Sequence, residues 1–266
     1  MTNHRPLFEV KLDSLIRRFL LFSPLSHLPV YLVNEYPKSG GTWLAQMVSD
    51  YLGLPFYRNR LPRLVPQILH GHYRYHPFLK NVVNVIRDGR DVMVSYYYHC
   101  LFIQENGNNW PEVQQSRKAL MIADPDDIYH NLPTFIEYTF EKKQHPRFSW
   151  VEFCGDWIDK LLPIIRYEDM LNDTSNELKS TLINFGTSKI DSNRLENTIG
   201  KYQFERQSGR PSGTENITSF LRKGIAGDWR NKFSSKACEV FNEYGGSMLI
   251  RLGYESDDNW VKQRNP

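Results

Sequence analysis

Three short apolar runs, each leading into a helical pattern, constrain the fold more than any other feature of this chain. Val30 to Asn34, Val82 to Arg87 and Leu162 to Tyr167 are short and rich in β-branched residues, as buried strands are. Thr42 to Leu52 follows the first and ends at Gly53 and Pro55. Asp88 to His99 follows the second, and Glu168 to Phe185, closed by Gly186, follows the third. Strand, loop and helix repeated in this way predict an α/β fold with a central parallel sheet flanked by helices. The 266 residues contain no internal repeat, low-complexity tract or obvious linker, so a single domain over 1–266 is expected.

Between the second and third runs lies a long, mostly helical segment. In it Trp150, Cys154, Trp157 and Leu161 recur on one helical face and read as core. Gln207 to Gly227, with five glycines and prolines (Gly209, Pro211, Gly213, Gly224, Gly227), reads as a long ordered loop of the functional kind. A net charge of +3 is too mild to argue for nucleic acid and fits a local anion pocket. The three cysteines form no C-x-x-C pair, which argues against a disulfide framework or zinc site and for a reducing, cytoplasmic setting. The apolar stretch Leu15 to Val33 is interrupted by Pro24, His27 and Pro29, so it is not a membrane span. Its alternative reading is a weak membrane-surface contact through Arg17, Arg18 and Phe19.

Three motifs carry chemistry. "YPKSGGTW", Tyr36 to Trp43, sits between a strand and a helix, where amide N–H groups at the helix start favour an anion. Gly40 and Gly41 permit close approach of the backbone, Ser39 and Thr42 add hydroxyls, and Lys38 adds a mobile charge. The lysine precedes the glycines, unlike the nucleoside triphosphate loop G-x-x-x-x-G-K-[ST]. "VIRDGRDVMVS", Val85 to Ser95, places Arg87 and Ser95 about two helical turns apart. "LRKGIAGDWRNKFS", Leu221 to Ser234, sets Arg222 and Lys223 before Gly224. Each has a plain alternative: a strand-to-helix turn with a solvated lysine, surface pairing of Arg87 and Arg90 with Asp88 and Asp91, and a basic surface loop.

Taken together and in this order, the three stretches resemble the cytosolic sulfotransferase family. The first looks like its 5′-phosphosulfate loop Y-P-K-S-G-T-T-W, with Gly41 in place of a threonine. The second is similar to its 3′-phosphate motif, the third to its R-K-G-x-x-G-D-W segment, and "RYEDM", Arg166 to Met170, to another shared stretch. The resemblance implies a P-loop-kinase-like fold and 3′-phosphoadenosine 5′-phosphosulfate (PAPS) as donor, with no metal. It implies that Lys38, Ser39, Gly40, Gly41 and Thr42 hold the 5′-phosphate, with Lys38 also catalytic on the bridging oxygen. Trp43 would stack on the adenine and Tyr167 would border it. Arg87, Ser95, Arg222, Lys223 and Gly224 would hold the 3′-phosphate. Gln203 beside Phe204 departs from the family's Thr-Ser-Phe. The family's C-terminal dimerisation signature is not visible, which leaves the oligomeric state open.

An acceptor hydroxyl needs a base, and "LHGHYRYHP" offers His70, His72 and His76. Alignment with the family's Lys-Thr-His favours His72, with His70 the competitor. If the segment is extended, His70 and His72 share a face. The histidines could instead hold a metal, but no matching cysteine or carboxylate cluster accompanies them in the sequence. The aromatic stretches "YYYHCLFIQ" and "HGHYRYHPF" suit a phenol, lipid or glycan acceptor. Two rival functions are an ATP-dependent small-molecule kinase on a related fold and a catalytically silent nucleotide-binding module.

Overall fold

The computed structural model describes residues 7–23, 29–58, 60–103, 110–143 and 146–264; Pro24, His27 and Gln104 lie outside them. In chain order the elements are α1 (Leu7–Phe22), β1 (Val30–Glu35), α2 (Gly41–Leu52), β2 (Gln67–Gly71), β3 (Val82–Ile86), α3 (Gly89–Phe102), α4 (Pro111–Leu120), α5 (Ile128–Lys142) and α6 (Trp150–Ile158). There follow β4 (Ile164–Arg166), α7 (Tyr167–Asn172), α8 (Thr174–Asn184), α9 (Ser192–Lys201), α10 (Phe204–Ser208), α11 (Trp229–Lys232), α12 (Ser235–Arg251) and a closing 3₁₀ turn, Asp258–Arg264. Two compact units result, Met1–Ile86 with Trp157–Arg210, and Arg87–Asp156 with Pro211–Pro266.

The first unit holds a four-stranded sheet in the order β2-β1-β3-β4, parallel at every pairing. Three of its strands are the apolar runs; β2 was not expected. It pairs with β1 in the register Val33 to His70 and Asn34 to Gly71. Helix α2 buries Leu44, Ala45, Met47, Val48 and Tyr51, the spacing of one helical face, against Val33, Ile68, Val83 and Val85 of the sheet. Leu178 and Leu182 of α8 and Leu195 of α9 complete that core. The helix expected over Glu168 to Phe185 is two helices. It breaks at Asp173, whose carboxylate accepts from the Asn176 N–H at 2.9 Å and so caps α8.

A pair of buried asparagines fixes the carboxyl ends of the strands. Asn34 and Asn84 are in register on β1 and β3, and the Asn34 amide donates to Asn84 Oδ1 at 2.9 Å. Asn34 also donates to the Tyr73 carbonyl at 3.0 Å and accepts the Tyr73 N–H at 2.8 Å. The segment after β2 is thereby tied to β1. Ligand sites in parallel sheets form at this end of the strands.

In the second unit α3 packs with α4, α5, α11 and α12. Gly89 opens α3 where a Cβ would meet Phe241 at 2.7 Å and Trp150 at 2.8 Å. Trp150, Cys154 and Trp157 of α6 are buried as the periodicity predicts, but Leu161 lies past the helix end and is fully exposed. Cys100, Cys154 and Cys238 are buried. Among the described residues no helix is long and apolar enough to cross a membrane. On α1, Phe8, Leu15 and Phe19 are exposed, whereas Arg17 turns inward to Asp13 and the Tyr57 carbonyl.

Candidate active site

Residues Tyr36 to Gly40 carry the chain from β1 into α2. Lys38 is half-buried and has φ 72°, in the left-handed region that a side chain disfavours. Gly40 has φ 97°, and a Cβ there would stand 2.5 Å from the Tyr167 ring, so glycine is required on both counts. Ser39 is fully buried, and its hydroxyl has no hydrogen-bond partner among the described residues. A buried, unpaired hydroxyl in a loop is costly unless a ligand completes it. Trp43 donates its indole N–H to the Tyr202 carbonyl at 2.9 Å and stands edge-on to Tyr167 at 6.3 Å.

Glu35, the last residue of β1, organises the start of α2. Its Oε2 accepts the Gly41 N–H at 2.7 Å, satisfying one of the helix's orphan donors. Its Oε1 lies 2.6 Å from His70 Nε2, and its main-chain carbonyl lies 2.8 Å from His72 Nδ1. Burial pushes the Glu35 carboxyl up, but the His70 hydrogen bond, the charges of His70 and His72, and the Gly41 N–H together bring it down to about 2. A carbonyl only accepts, so His72 carries a proton on Nδ1. The two imidazole rings meet edge to face at 5.1 Å. His76 stands apart from this cluster, its ring against Phe22 and Phe78 and its Nδ1 accepting the Phe78 N–H at 3.2 Å.

The second unit holds the other expected cations. Arg87 is buried, donates to the Ile225 carbonyl at 2.9 Å and lies 3.7 Å from Asp91. Asp91 accepts from the N–H groups of Gly227 and Trp229, which fastens the segment 227–229 to α3. Ser95 is half-buried, one turn beyond Asp91. Arg222 pairs with Asp228 at 2.7 Å and with Glu215, and lies over the Tyr98 ring at 4.8 Å. Lys223 pairs with the same Asp228 at 2.6 Å, and Gly224 has φ 70°. The pairing of Arg90, weighed above as a surface alternative, is a buried one. Arg90 is joined to Asp88 at 2.8 Å and to Glu255, between the rings of Trp229 and Trp260.

Residues 60–253 match the family model described as a sulfotransferase domain. The chain belongs to the sulfotransferase family. The match begins after the Lys38 loop, so that loop stands on its own motif and geometry. Guinea pig (Cavia porcellus) sulfotransferase 1E1 is 26% identical over 260 residues, covering 80% of each chain. Rat (Rattus norvegicus) sulfotransferase 2A6 is 25% identical over 254 residues, covering 80% of this chain and 81% of its own. Among solved structures, mouse sulfotransferase SULT7A1 complexed with PAP superposes with a TM-score of 0.57 at 18% identity, covering 89% of both chains. Retinol dehydratase in complex with androsterone and inactive cofactor PAP does so with a TM-score of 0.52 at 15% identity, covering 90% of this chain and 85% of its own. These likenesses bear out the P-loop-like α/β fold.

Within its first unit the sulfotransferase brings together the Lys38 loop, Trp43, Tyr167, His70 and His72. Within its second it brings together Arg87, Arg222, Lys223 and Gly224 around Asp91, Asp228 and the Ile225 carbonyl. Two expectations need correction. The histidines do have a carboxylate beside them: Glu35, His70 and His72 place ligand atoms within 4.8 Å of one another and could hold a metal ion. In the structure Glu35 is hydrogen-bonded to both histidines, to His70 through its carboxylate and to His72 through its main-chain carbonyl. The stretch "YYYHCLF" does not offer a free aromatic wall either. Tyr96, Tyr97 and Tyr98 are buried, Tyr97 against Phe135. Of the second aromatic stretch, Tyr75 and Phe78 are exposed.

Sequence reasoning missed Glu35, Asn34 and Asp228. The available signals were a glutamate ending a strand beside the loop, and glycine rather than threonine at position 41. A Cβ at Gly41 would lie 2.9 Å from the Glu35 carboxyl carbon, so each residue accounts for the other.

Proposed function

We propose that this sulfotransferase moves a sulfuryl group from PAPS to the hydroxyl of a small-molecule acceptor, with His72 as base. The observation that carries the reading is the hydrogen bond from His72 Nδ1 to the Glu35 carbonyl at 2.8 Å, which orients the ring for a base that acts through Nε2. The donor assignment is supported by family membership, by the PAP carried by structural neighbours, and by the unpartnered Ser39 hydroxyl. A phosphate oxygen is a fitting partner for that hydroxyl at a helix N-terminus.

In this reading Lys38, Ser39, Gly40, Gly41 and Thr42 hold the 5′-phosphate. Gly41 contributes room rather than a hydrogen bond, because its N–H is given to Glu35. Trp43 and Tyr167 face the adenine. Arg87, Ser95, Arg222, Lys223 and Gly224 hold the 3′-phosphate. His72 Nε2 removes the acceptor proton as the new oxygen–sulfur bond forms and the bond to the bridging oxygen breaks. Lys38 meets the charge that develops on that departing phosphate oxygen. No step calls for a metal.

The test is transfer of labelled sulfate from PAPS across a panel of phenols, sterols, lipids and glycans, with ATP as the control donor. Transfer from PAPS to at least one hydroxyl acceptor is expected. Phosphoryl transfer from ATP, or donor binding without turnover on any acceptor, would replace this reading with a kinase or a silent binding module.

A further inference from the structure

We infer that Glu35 is the positioning residue of this site, one residue that locks the start of α2, His70 and His72 into a single arrangement. The inference rests on the proposed role of His72. An ionised carboxylate has only acceptors, and here each oxygen has one donor, Gly41 N–H at 2.7 Å and His70 Nε2 at 2.6 Å. The carbonyl of the same residue takes the third donor, His72 Nδ1, at 2.8 Å. Glu35 is 4% exposed, so water cannot replace a partner that is lost.

The consequence is mechanical coupling. The loop that carries Lys38 and Ser39 enters α2 at Gly41, and Gly41 is joined through one rigid carboxylate to the first histidine. The second histidine is oriented by the backbone of that same residue, with its ring against the first at 5.1 Å. Donor loop and base are therefore held in one register by Glu35. Gly41 is the matching half of the device, since any larger residue would push the carboxylate away.

Glu35→Gln tests this sharply. Glutamine keeps the shape but offers one acceptor oxygen and one NH₂ donor. With its oxygen on Gly41, its NH₂ faces His70, which must then accept at Nε2 and move its proton to Nδ1. Long-range ¹H–¹⁵N NMR on the whole protein without donor reads these protons. In the wild type, Nε2–H on His70 and Nδ1–H on His72 are expected; in Glu35→Gln, His70 switches and His72 does not. With PAPS and an accepted substrate, kcat should fall about tenfold, the rate equivalent of one charge-assisted hydrogen bond. Affinity for adenosine 3′,5′-bisphosphate should stay within about threefold, well under the loss of one such bond.

An unchanged His70 proton or an unchanged kcat in Glu35→Gln would overturn the inference. So would equal losses of kcat and bisphosphate affinity, which would make Glu35 a structural prop of the loop. If the variant does not fold, the wild-type spectrum decides by itself: a His72 proton on Nε2 overturns the inference. Stoichiometric zinc in the purified protein, with loss of activity on chelation, would make the cluster a metal site instead. Failure of the underlying reading looks different, as no sulfuryl transfer by the wild type or full activity in His72→Ala, whatever the histidine protons show.

Discussion

His72 gives its Nδ1 proton to the main-chain carbonyl of Glu35 at 2.8 Å, while the Glu35 side chain holds His70 at 2.6 Å. One residue thus holds two neighbouring histidines in different ways, His70 through Nε2 and His72 through Nδ1. His72→Ala is expected to lower kcat by roughly 10² to 10⁴, the range of a lost general base. His70→Ala should cost less, and His76→Ala little, because His76 packs with Phe22 and Phe78 outside the cluster. Steady-state kinetics on the three variants, with bisphosphate binding unchanged in each, checks this. A dead His70→Ala beside an active His72→Ala would transfer the role to His70.

The basic cluster of the second unit predicts nucleotide selectivity. If Arg87, Ser95, Arg222 and Lys223 hold a 3′-phosphate, adenosine 3′,5′-bisphosphate should bind at least about tenfold tighter than adenosine 5′-phosphate, one charge-assisted contact or more. Calorimetry with the two nucleotides measures it, and equal affinities would remove the 3′-phosphate from this cluster.

Lys38 sets stability against function. Its left-handed backbone, φ 72°, costs a non-glycine residue about 1 kcal/mol or more. Lys38→Gly should therefore be at least as stable as the wild type by urea unfolding, while kcat falls on the order of 10²-fold. A variant that lost stability and only donor affinity would reduce Lys38 to a phosphate clamp.

Two glycines with similar backbones separate strain from crowding. Gly40 and Gly186 have φ of 97° and 89°, but only at Gly40 would a new Cβ strike a neighbour, the Tyr167 ring at 2.5 Å. Gly186→Ala should cost about 1 kcal/mol of backbone strain, and Gly40→Ala about 2–4 kcal/mol. Thermal unfolding of the two variants gives the comparison.

The folded Glu35 carboxyl sits at about 2, below its ordinary 4.5. A depressed carboxylate contributes stability that is fully present above pH 4.5 and is lost as pH falls from there toward 2. Urea unfolding between pH 6 and pH 3 should show a steeper acid loss in the wild type than in Glu35→Gln, in the sense set by that linkage. Parallel curves would mean that Glu35 does not carry this charge in the folded state.

The parallel α/β plan was legible in the chain, because β-branched runs followed by 3.6-residue periodicity are local signals. So was the family, because the phosphate-type loop and the two basic motifs are contiguous strings whose order survives in the chain. Local signals failed at β2, whose run Gln67–Gly71 has only Ile68 and Leu69 as apolar residues, flanked by Gln67 and His70. They failed again at Asp173, where a side-chain cap splits one apparent helix into two. The partners of the histidines, by contrast, come from long-range packing. Glu35 is 35 residues from His70 and 37 from His72, and nothing local to either stretch announces the other. The pairing of β1 with β2 brings them together, since parallel register places Val33 beside His70 and Asn34 beside Gly71. A buried carboxylate must then find donors, and the ones within reach are a helix N-terminus and two imidazoles.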